Sequence, residues 1–351
     1  MAAGQEVAAP PADFGYTRTV DRTLVHRAAV SEVFVTDIRT VAELDEAGLS
    51  GGRAWVAAQL PLSHAYYSDH IQEPALFDPL LLLEACRQAA ICGTHAHAGI
   101  PVGTSIVVGT FTLELDDLPG LAVGERPGEL AVDTEFVGKP TRRGRLRNVG
   151  VEQRLYLGGA PVGRHSMQVM MLTARQYEVL REAGRDTPAP WTTDYVGKPR
   201  TGLVEPRRVG RVHPGNVVLA DPVREGGAVS ARLAPDFANR GLFDHDYDHL
   251  PAMILAEAAR QLALLALDGG GTGRQVAALT ARFGRFAELD APLTATAVVD
   301  PPDGPAGPSE PSGPDGGRVR LRVDFTQNST EVAAFSLTLA DLSRAAERNE
   351  R

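Results

Sequence analysis

Short stretches of the chain at 33–36, 53–60, 105–115, 129–137, 148–157 and 161–172 are β-branched runs or alternate apolar with polar positions. Each stretch is bounded by Gly, Pro or Asp, and the period of two predicts strands. Between the second and third the period breaks. Residues 79–94 are apolar on nearly every side, and the stretch opens on Asp78, a good helix cap, and on Pro79, whose missing amide costs nothing in a first turn. That pattern predicts an enclosed helix. Two strands, a helix and four strands fit an antiparallel sheet curled round one helix.

The same order then returns. Strand patterns at 217–221 and 228–233 lead to a helical run from Leu250 to Gln261, followed by strands at 276–286, 294–299, 318–324 and 331–339. Both helices carry a Glu, an Arg and a Gln within their apolar runs. Glu84 and Glu257 stand 173 residues apart (257 − 84), as do Arg87 and Arg260, and Gln88 and Gln261. The chain therefore reads as two copies of one unit. Val212-His213 pairs by eye with Val25-His26, and 217–221 with 33–37. Residues 1–20 read as a flexible leader, 21–173 as the first copy, 174–211 as a linker with a short helix at 175–183, and 212–345 as the second copy. The Pro- and Gly-rich 300–317 has no large apolar residue to offset its ordering entropy and is expected to be a disordered hairpin tip.

Composition narrows the function. The 351 residues carry a net charge of −9, which argues against a nucleic-acid scaffold. No apolar run approaches the ~20 residues of a membrane span, and the N-terminus lacks the features of a signal peptide. Cys86 and Cys92 point to different sides of one helix, so neither a disulfide nor a metal site is expected there. A soluble, cytoplasmic protein is the expectation.

The polar residues inside the helices are the candidate chemistry. A carboxylate in apolar surroundings has its pKa raised by desolvation, which makes Glu84 and Glu257 candidate bases. The alternative is that Glu257 and Arg260 form an ion pair and cover each other. The helix starts at Asp78-Pro79 and Leu250-Pro251 offer unpaired amides for an oxyanion. His64 and His70 precede the first helix. His245, Asp248 and His249 precede the second, where Asp248 and His249 could instead cap it. A zinc site from His245, Asp246, Asp248 and His249 is too crowded in sequence for a tetrahedral cage. At the simple repeat offset His70 falls opposite Phe243. The basic run 139–147 and the group Arg207, Arg208 and Arg211 are two candidate patches for an acidic partner.

Two motifs carry a resemblance. His64-Ala-Tyr66-Tyr67 stands with Asp78-Pro79 through Glu84-Ala85-Cys86-Arg87-Gln88, and Asp248-His249-Leu250-Pro251 leads to Glu257-Ala258-Ala259-Arg260-Gln261. Together they resemble the AfsA-type A-factor biosynthesis hotdog repeat family, over about residues 21–345. The resemblance implies an α+β double hotdog, two tandem repeats each with an antiparallel sheet wrapped round a central helix. It implies an acyltransferase, without cofactor or metal, that moves a β-ketoacyl group from acyl carrier protein to dihydroxyacetone phosphate on the way to γ-butyrolactone signals. Its helix Glu falls on Glu84 and Glu257 and its helix Arg on Arg87 and Arg260, with one productive site expected around Glu257 and Arg260 and Glu84 supporting it. Arg87, His64, His70, Asp248 and His249 are then substrate-binding candidates. The sequence departs from the family in having Ala252 where the family has Gly. The spacing of His70 and Glu84 also resembles hotdog dehydratases, so an acyl-thioester dehydratase or thioesterase remains an alternative, as does a non-catalytic acyl-binding module.

Overall fold

The computed structural model describes residues 9–42, 50–97, 99–140, 146–183, 185–267, 273–301 and 317–342. The first half contains β1 (Val35–Ala42), β2 (Ser50–Leu60), α1 (Pro79–Ala96), β3 (Ser105–Leu115), β4 (Gly128–Pro140), β5 (Leu146–Leu157) and β6 (Ala160–Leu172). A linking helix α2 (Ala174–Glu182) follows. The second half contains β7 (Leu219–Glu225), β8 (Ala228–Leu233), α3 (Ala252–Ala266), β9 (Arg274–Phe283), β10 (Thr294–Val299), β11 (Val319–Gln327) and β12 (Thr330–Asp341).

All twelve strands belong to one sheet in the order β1-β2-β4-β5-β6-β3-β9-β12-β11-β10-β8-β7, and neighbours are antiparallel throughout. The second half of that order mirrors the first. The halves join where β3 pairs with β9, in a register that sets Phe111 opposite Ala281 and Thr112 opposite Thr280. Phe111, Phe283 and Phe335 pack their rings together at this seam, with centroids 5.3–6.3 Å apart. β11 shows how the sequence fixes the inner face: Leu321, Val323 and Phe325 are buried and alternate with exposed Arg322, Asp324 and Thr326. Each half wraps one buried helix, and this is the double hotdog that the pattern and the resemblance foretold.

α1 is buried along nearly its whole length. Asp78 caps it by accepting from Leu80 N at 2.8 Å, as expected. α3 starts differently: Pro251 occupies the cap with no side-chain bond, so neither Asp248 nor His249 caps it. The linker helix begins on a reciprocal box in which Thr173 N donates to the Gln176 side chain and Gln176 N to Thr173 Oγ1.

Two boundaries move. Residues 9–20 of the expected leader lie against the first half, and 1–8 lie outside the described residues: Phe14 packs edge-on to Trp55, Arg39 holds Asp13, and Val20 N donates to Val35 O at 3.0 Å. Residues 206–211 belong to the second half, because Arg211 reaches into it. The tip of the Pro-rich insertion (302–316), the centre of the basic run (141–145) and residues 343–351 lie outside the described residues. Among the described residues, no helix is long and apolar enough to cross a membrane.

Candidate active site

Each central helix holds its Glu between two arginines, and only one of these was legible in the repeat. In the second half Glu257 accepts from Arg260 Nε (2.9 Å) and Nη2 (2.7 Å), from Arg211 Nε (2.9 Å) and from the Gln261 amide. In the first half Glu84 accepts from Arg87 Nε and Gln88 Nε2, both at 2.9 Å, and from Arg27 Nη2. Arg27 and Arg211 each follow a left-handed residue, His26 with φ 54° and Gly210 with φ 74°, at the end of a short 3-10 turn, Arg22–Val25 or Pro206–Val209. The true counterpart of Val25-His26-Arg27 is therefore Val209-Gly210-Arg211, not a pairing through Val212-His213.

Burial alone would raise both carboxyls, but the paired arginines outweigh it and hold each down to about 2. The expectation of a raised, basic carboxylate fails for this reason. An ionised Glu between two guanidiniums orients them and has little affinity for a further proton.

The loops before the helices cross to the opposite half. Asp69 accepts from Val212 N and His213 N, all at 3.1 Å, and Asp244 accepts from Ala28 N (2.6 Å) and Ala29 N (2.9 Å). His64 Nδ1 accepts from Tyr66 N at 3.1 Å, and Asn239 Oδ1 takes the same bond from Gly241 N at 3.0 Å. These bonds align Asp69 with Asp244, His70 with His245, Tyr66 with Gly241 and His64 with Asn239. The opposition of His70 to Phe243 is thus replaced by His70 to His245, because the second loop is shifted by two residues.

That alignment exposes the difference between the halves. Tyr66 extends across the seam and donates its hydroxyl to Glu257 Oε2 at 3.0 Å, and its ring lies beside the Arg211 guanidinium, 4.4 Å from centroid to Cζ. Arg211 Nη1 also donates to the carbonyls of Tyr66 and Asp69 at 2.8 and 2.7 Å. Glu257, Arg211 and Arg260 are sealed, at 0–2% exposure. On the other side Gly241 has no side chain to insert, and a cavity of about 1310 Å³ reaches His26, Arg27, Glu84, Arg87, His245 and Tyr247. Glu257, Arg260 and Arg211 do not line it. The site expected around Glu257 and Arg260 is closed, and the copy expected to support it is open.

The remaining candidates divide in the same way. Arg87 lines the cavity with its side chain 20% exposed. His64 is a loop brace: Nδ1 accepts two backbone amides, and Nε2 faces Glu32 at 3.2 Å. His70 lies beside the closed Glu257 cluster, its pKa lowered mainly by burial, and it does not line the cavity. Asp248 latches the linker helix, accepting from Tyr177 Oη (2.8 Å), Arg181 Nε (2.8 Å) and His249 Nδ1 (2.6 Å). His249 lines the cavity and packs on Phe286, with centroids 4.8 Å apart. Arg211 is buried, which removes it from a surface patch with exposed Arg207 and Arg208. Among the described residues no three His, Cys, Asp or Glu side chains converge as metal ligands.

The start of α3, from Leu250 to Leu255, also lines the cavity. Ile254 N and Leu255 N return to Pro251 O, while the amides of Ala252 and Met253 have no hydrogen-bond partner among the described residues. Asp78 fills the corresponding place at α1. The open site therefore pairs the arginine cluster of one helix with the free amides of the other.

Solved structures with hotdog architecture are similar in outline. They include a trans-AT PKS dehydratase domain from Brevibacillus brevis, 14% identical, covering 83% of this chain and 94% of that one at a TM-score of 0.48. A 12:0-ACP thioesterase from Umbellularia californica is 10% identical, covering 82% and 97% at 0.44. At these scores they add nothing to the topology. Sequence relatives are more specific. A 2-oxo-3-(phosphooxy)propyl 3-oxoalkanoate synthase of Streptomyces virginiae is 33% identical over 79% of this chain and 86% of its own length. The protein of the same name from Streptomyces griseus subsp. griseus is 29% identical over 81% and 86%. The family model described as the A-factor biosynthesis hotdog domain matches residues 8–173 and 194–342, one segment on each half. The chain belongs to the A-factor biosynthesis hotdog family.

Proposed function

We propose that the chain is an acyltransferase that moves a β-ketoacyl group from the thioester of an acyl carrier protein to a hydroxyl of dihydroxyacetone phosphate, and that it does so in the cavity at Glu84. The observation that carries the reading is the arginine pair, Arg27 and Arg87, held by a buried carboxylate in the lining of a cavity of about 1310 Å³. Two guanidiniums against one carboxylate leave a net positive charge, which suits a phosphate. The names of the relatives describe an ester of a 3-oxo acid with a phosphorylated three-carbon alcohol, and that product requires a thioester-like donor and a phosphate pocket.

In this reading the acyl chain lies along the apolar wall of Ile106, Val108, Met170 and Phe283. The thioester carbonyl points to the unpaired amides of Ala252 and Met253, where developing negative charge meets free N–H groups and the positive end of α3. Arg87 binds the acceptor phosphate. Glu84 is a positioning residue that fixes Arg27 and Arg87 and does not take the proton. The dehydratase or thioesterase alternative rested on His70 beside a helix Glu, and His70 stands outside the cavity.

The test supplies purified protein with a β-ketoacyl carrier protein and dihydroxyacetone phosphate and follows the product by mass spectrometry. Formation of the phosphorylated β-keto ester is expected, with loss of at least ten-fold in kcat/KM in Arg87→Ala. Thioester hydrolysis at the same rate with and without acceptor would overturn the reading.

A further inference from the structure

The transfer needs a base for the acceptor hydroxyl, and Glu84 is unsuited to it. His26 has the required features. It lines the cavity directly before Arg27, in a left-handed backbone conformation (φ 54°, ψ 49°) that side chains with a Cβ rarely adopt. The same place in the closed half is occupied by Gly210, the residue that fits such a conformation without strain. A histidine there puts an imidazole into the lining of the open cavity.

Its ring is also oriented by His95. His95 Nδ1 lies 2.8 Å from the carbonyl oxygen of Ile100 and must donate to it. In a neutral His95 ring, Nε2 is then an acceptor. His26 Nε2 lies 2.8 Å from that nitrogen and therefore carries the hydrogen between them. His26 Nδ1 is left with a lone pair and no hydrogen-bond partner among the described residues. The charged and titratable groups facing it are Arg27 on its own segment, Arg87 and His95 on α1, and His245 from the crossing loop of the other half. Burial, followed by His95, Arg87, His245 and Arg27, pushes its pKa down to about 4, so the lone pair is free at neutral pH. Of the other two cavity imidazoles, His245 turns Nδ1 toward Asp244 Oδ2 at 3.4 Å and stacks on Tyr247, and His249 spends Nδ1 on Asp248 Oδ1 at 2.6 Å.

Resting on the transfer reading above, we infer that His26 is the general base of the reaction, oriented by His95 and the Ile100 carbonyl. As the acceptor oxygen bonds to the thioester carbon, its proton passes to His26 Nδ1. The positive charge is shared through the Nε2–H bond to His95. When the C–S bond breaks, the proton returns to the departing sulfur, leaving an ester and a free thiol with no other reactant consumed.

The experiment compares the wild-type chain with His26→Asn and His26→Gly, both of which tolerate the left-handed backbone, and with His245→Asn. Ester formation is expected to fall about 10²- to 10⁴-fold in kcat in the two His26 variants, with the acceptor KM and the affinity for the acyl thioester unchanged. The acid limb of the wild-type pH–rate profile disappears with the side chain. An unchanged kcat, an acid limb that persists in His26→Asn, or a loss confined to His245→Asn would overturn the assignment. The tautomer is read separately by 15N NMR of labelled histidine without any substrate. A hydrogen on Nε2 at pH 7 supports the base, and a hydrogen on Nδ1 refutes it. If the wild-type chain forms no ester, the transfer reading falls, and the NMR still decides whether His26 offers a base.

Discussion

The Tyr66 hydroxyl reaches across the seam between the halves to donate to Glu257 at 3.0 Å, and the residue in the matching place on the other side is Gly241. One side chain thus closes one of two similar sites. Tyr66→Phe removes a hydrogen bond to a buried charge, and a stability loss of roughly 1.5–3 kcal/mol is expected in urea unfolding. Ester formation in the other site should stay within two-fold of wild type.

The two glutamates should respond differently to the same change. Glu257→Gln leaves Arg260 buried without a countercharge and Arg211 with only Asp78, 3.7 Å away, and a loss of about 3–5 kcal/mol is expected. Glu84→Gln frees arginines that reach the cavity and its water, with side chains 10% and 20% exposed. Its fold should hold better, while the KM for the phosphorylated acceptor rises at least ten-fold as Arg87 loses its orientation. Paired unfolding curves and steady-state kinetics check both halves of this statement.

Stability should fall with acid in two windows. Burial lowers His26 to about 4 and His165 to about 3, so the unfolded chain binds protons near the ordinary histidine value of ~6.5 while the folded chain resists them. Their contribution is present above that value and is lost as pH falls toward 4, at about 1.4 kcal/mol per pH unit for each group. Glu84 and Glu257 are held down by their arginines, so their contribution is present above ~4.5 and is lost toward pH 2. Urea midpoints between pH 8 and 3 should show both slopes, and His165→Asn should flatten the first.

Asp248 ties the linker helix to the cavity wall through Tyr177, Arg181 and His249. Arg181 also bonds Glu288 at 2.7 and 2.8 Å, so Asp248→Ala should loosen α2 without unfolding the sheet. Hydrogen exchange is expected to quicken about ten-fold at the amides of α2 and to stay unchanged in β11 and β12.

Strands were legible because their period of two is set by one-sided burial, as the alternation of Leu321, Val323 and Phe325 shows, and the central helices because their apolar runs open on cap and proline signals. The site was only half legible. The offset of 173 holds for Glu84, Arg87 and Gln88 because a helix admits no insertions within its turns. It fails where loops differ in length: Arg27 and Arg211 are 184 apart, and Asp69 and Asp244 are 175 apart. Arg27 and Arg211 were therefore missed, although a Val before and an Arg after a turn-ending His or Gly was the available signal. Without the second arginine, desolvation alone sets the expected pKa of the glutamates, and its direction is the opposite of the one the arginines impose. Nor could a sequence say that Tyr66 fills one site, since its partner is 191 residues away.

The β3–β9 seam makes both halves of one chain parts of a single hydrogen-bonded sheet. A dimer of identical chains must change both of its sites whenever its gene changes one. A tandem chain is released from that constraint, so one half can specialise as scaffold while the other specialises as reaction vessel. The stoichiometry expected of such a chain under the proposed transfer is one acyl group per polypeptide.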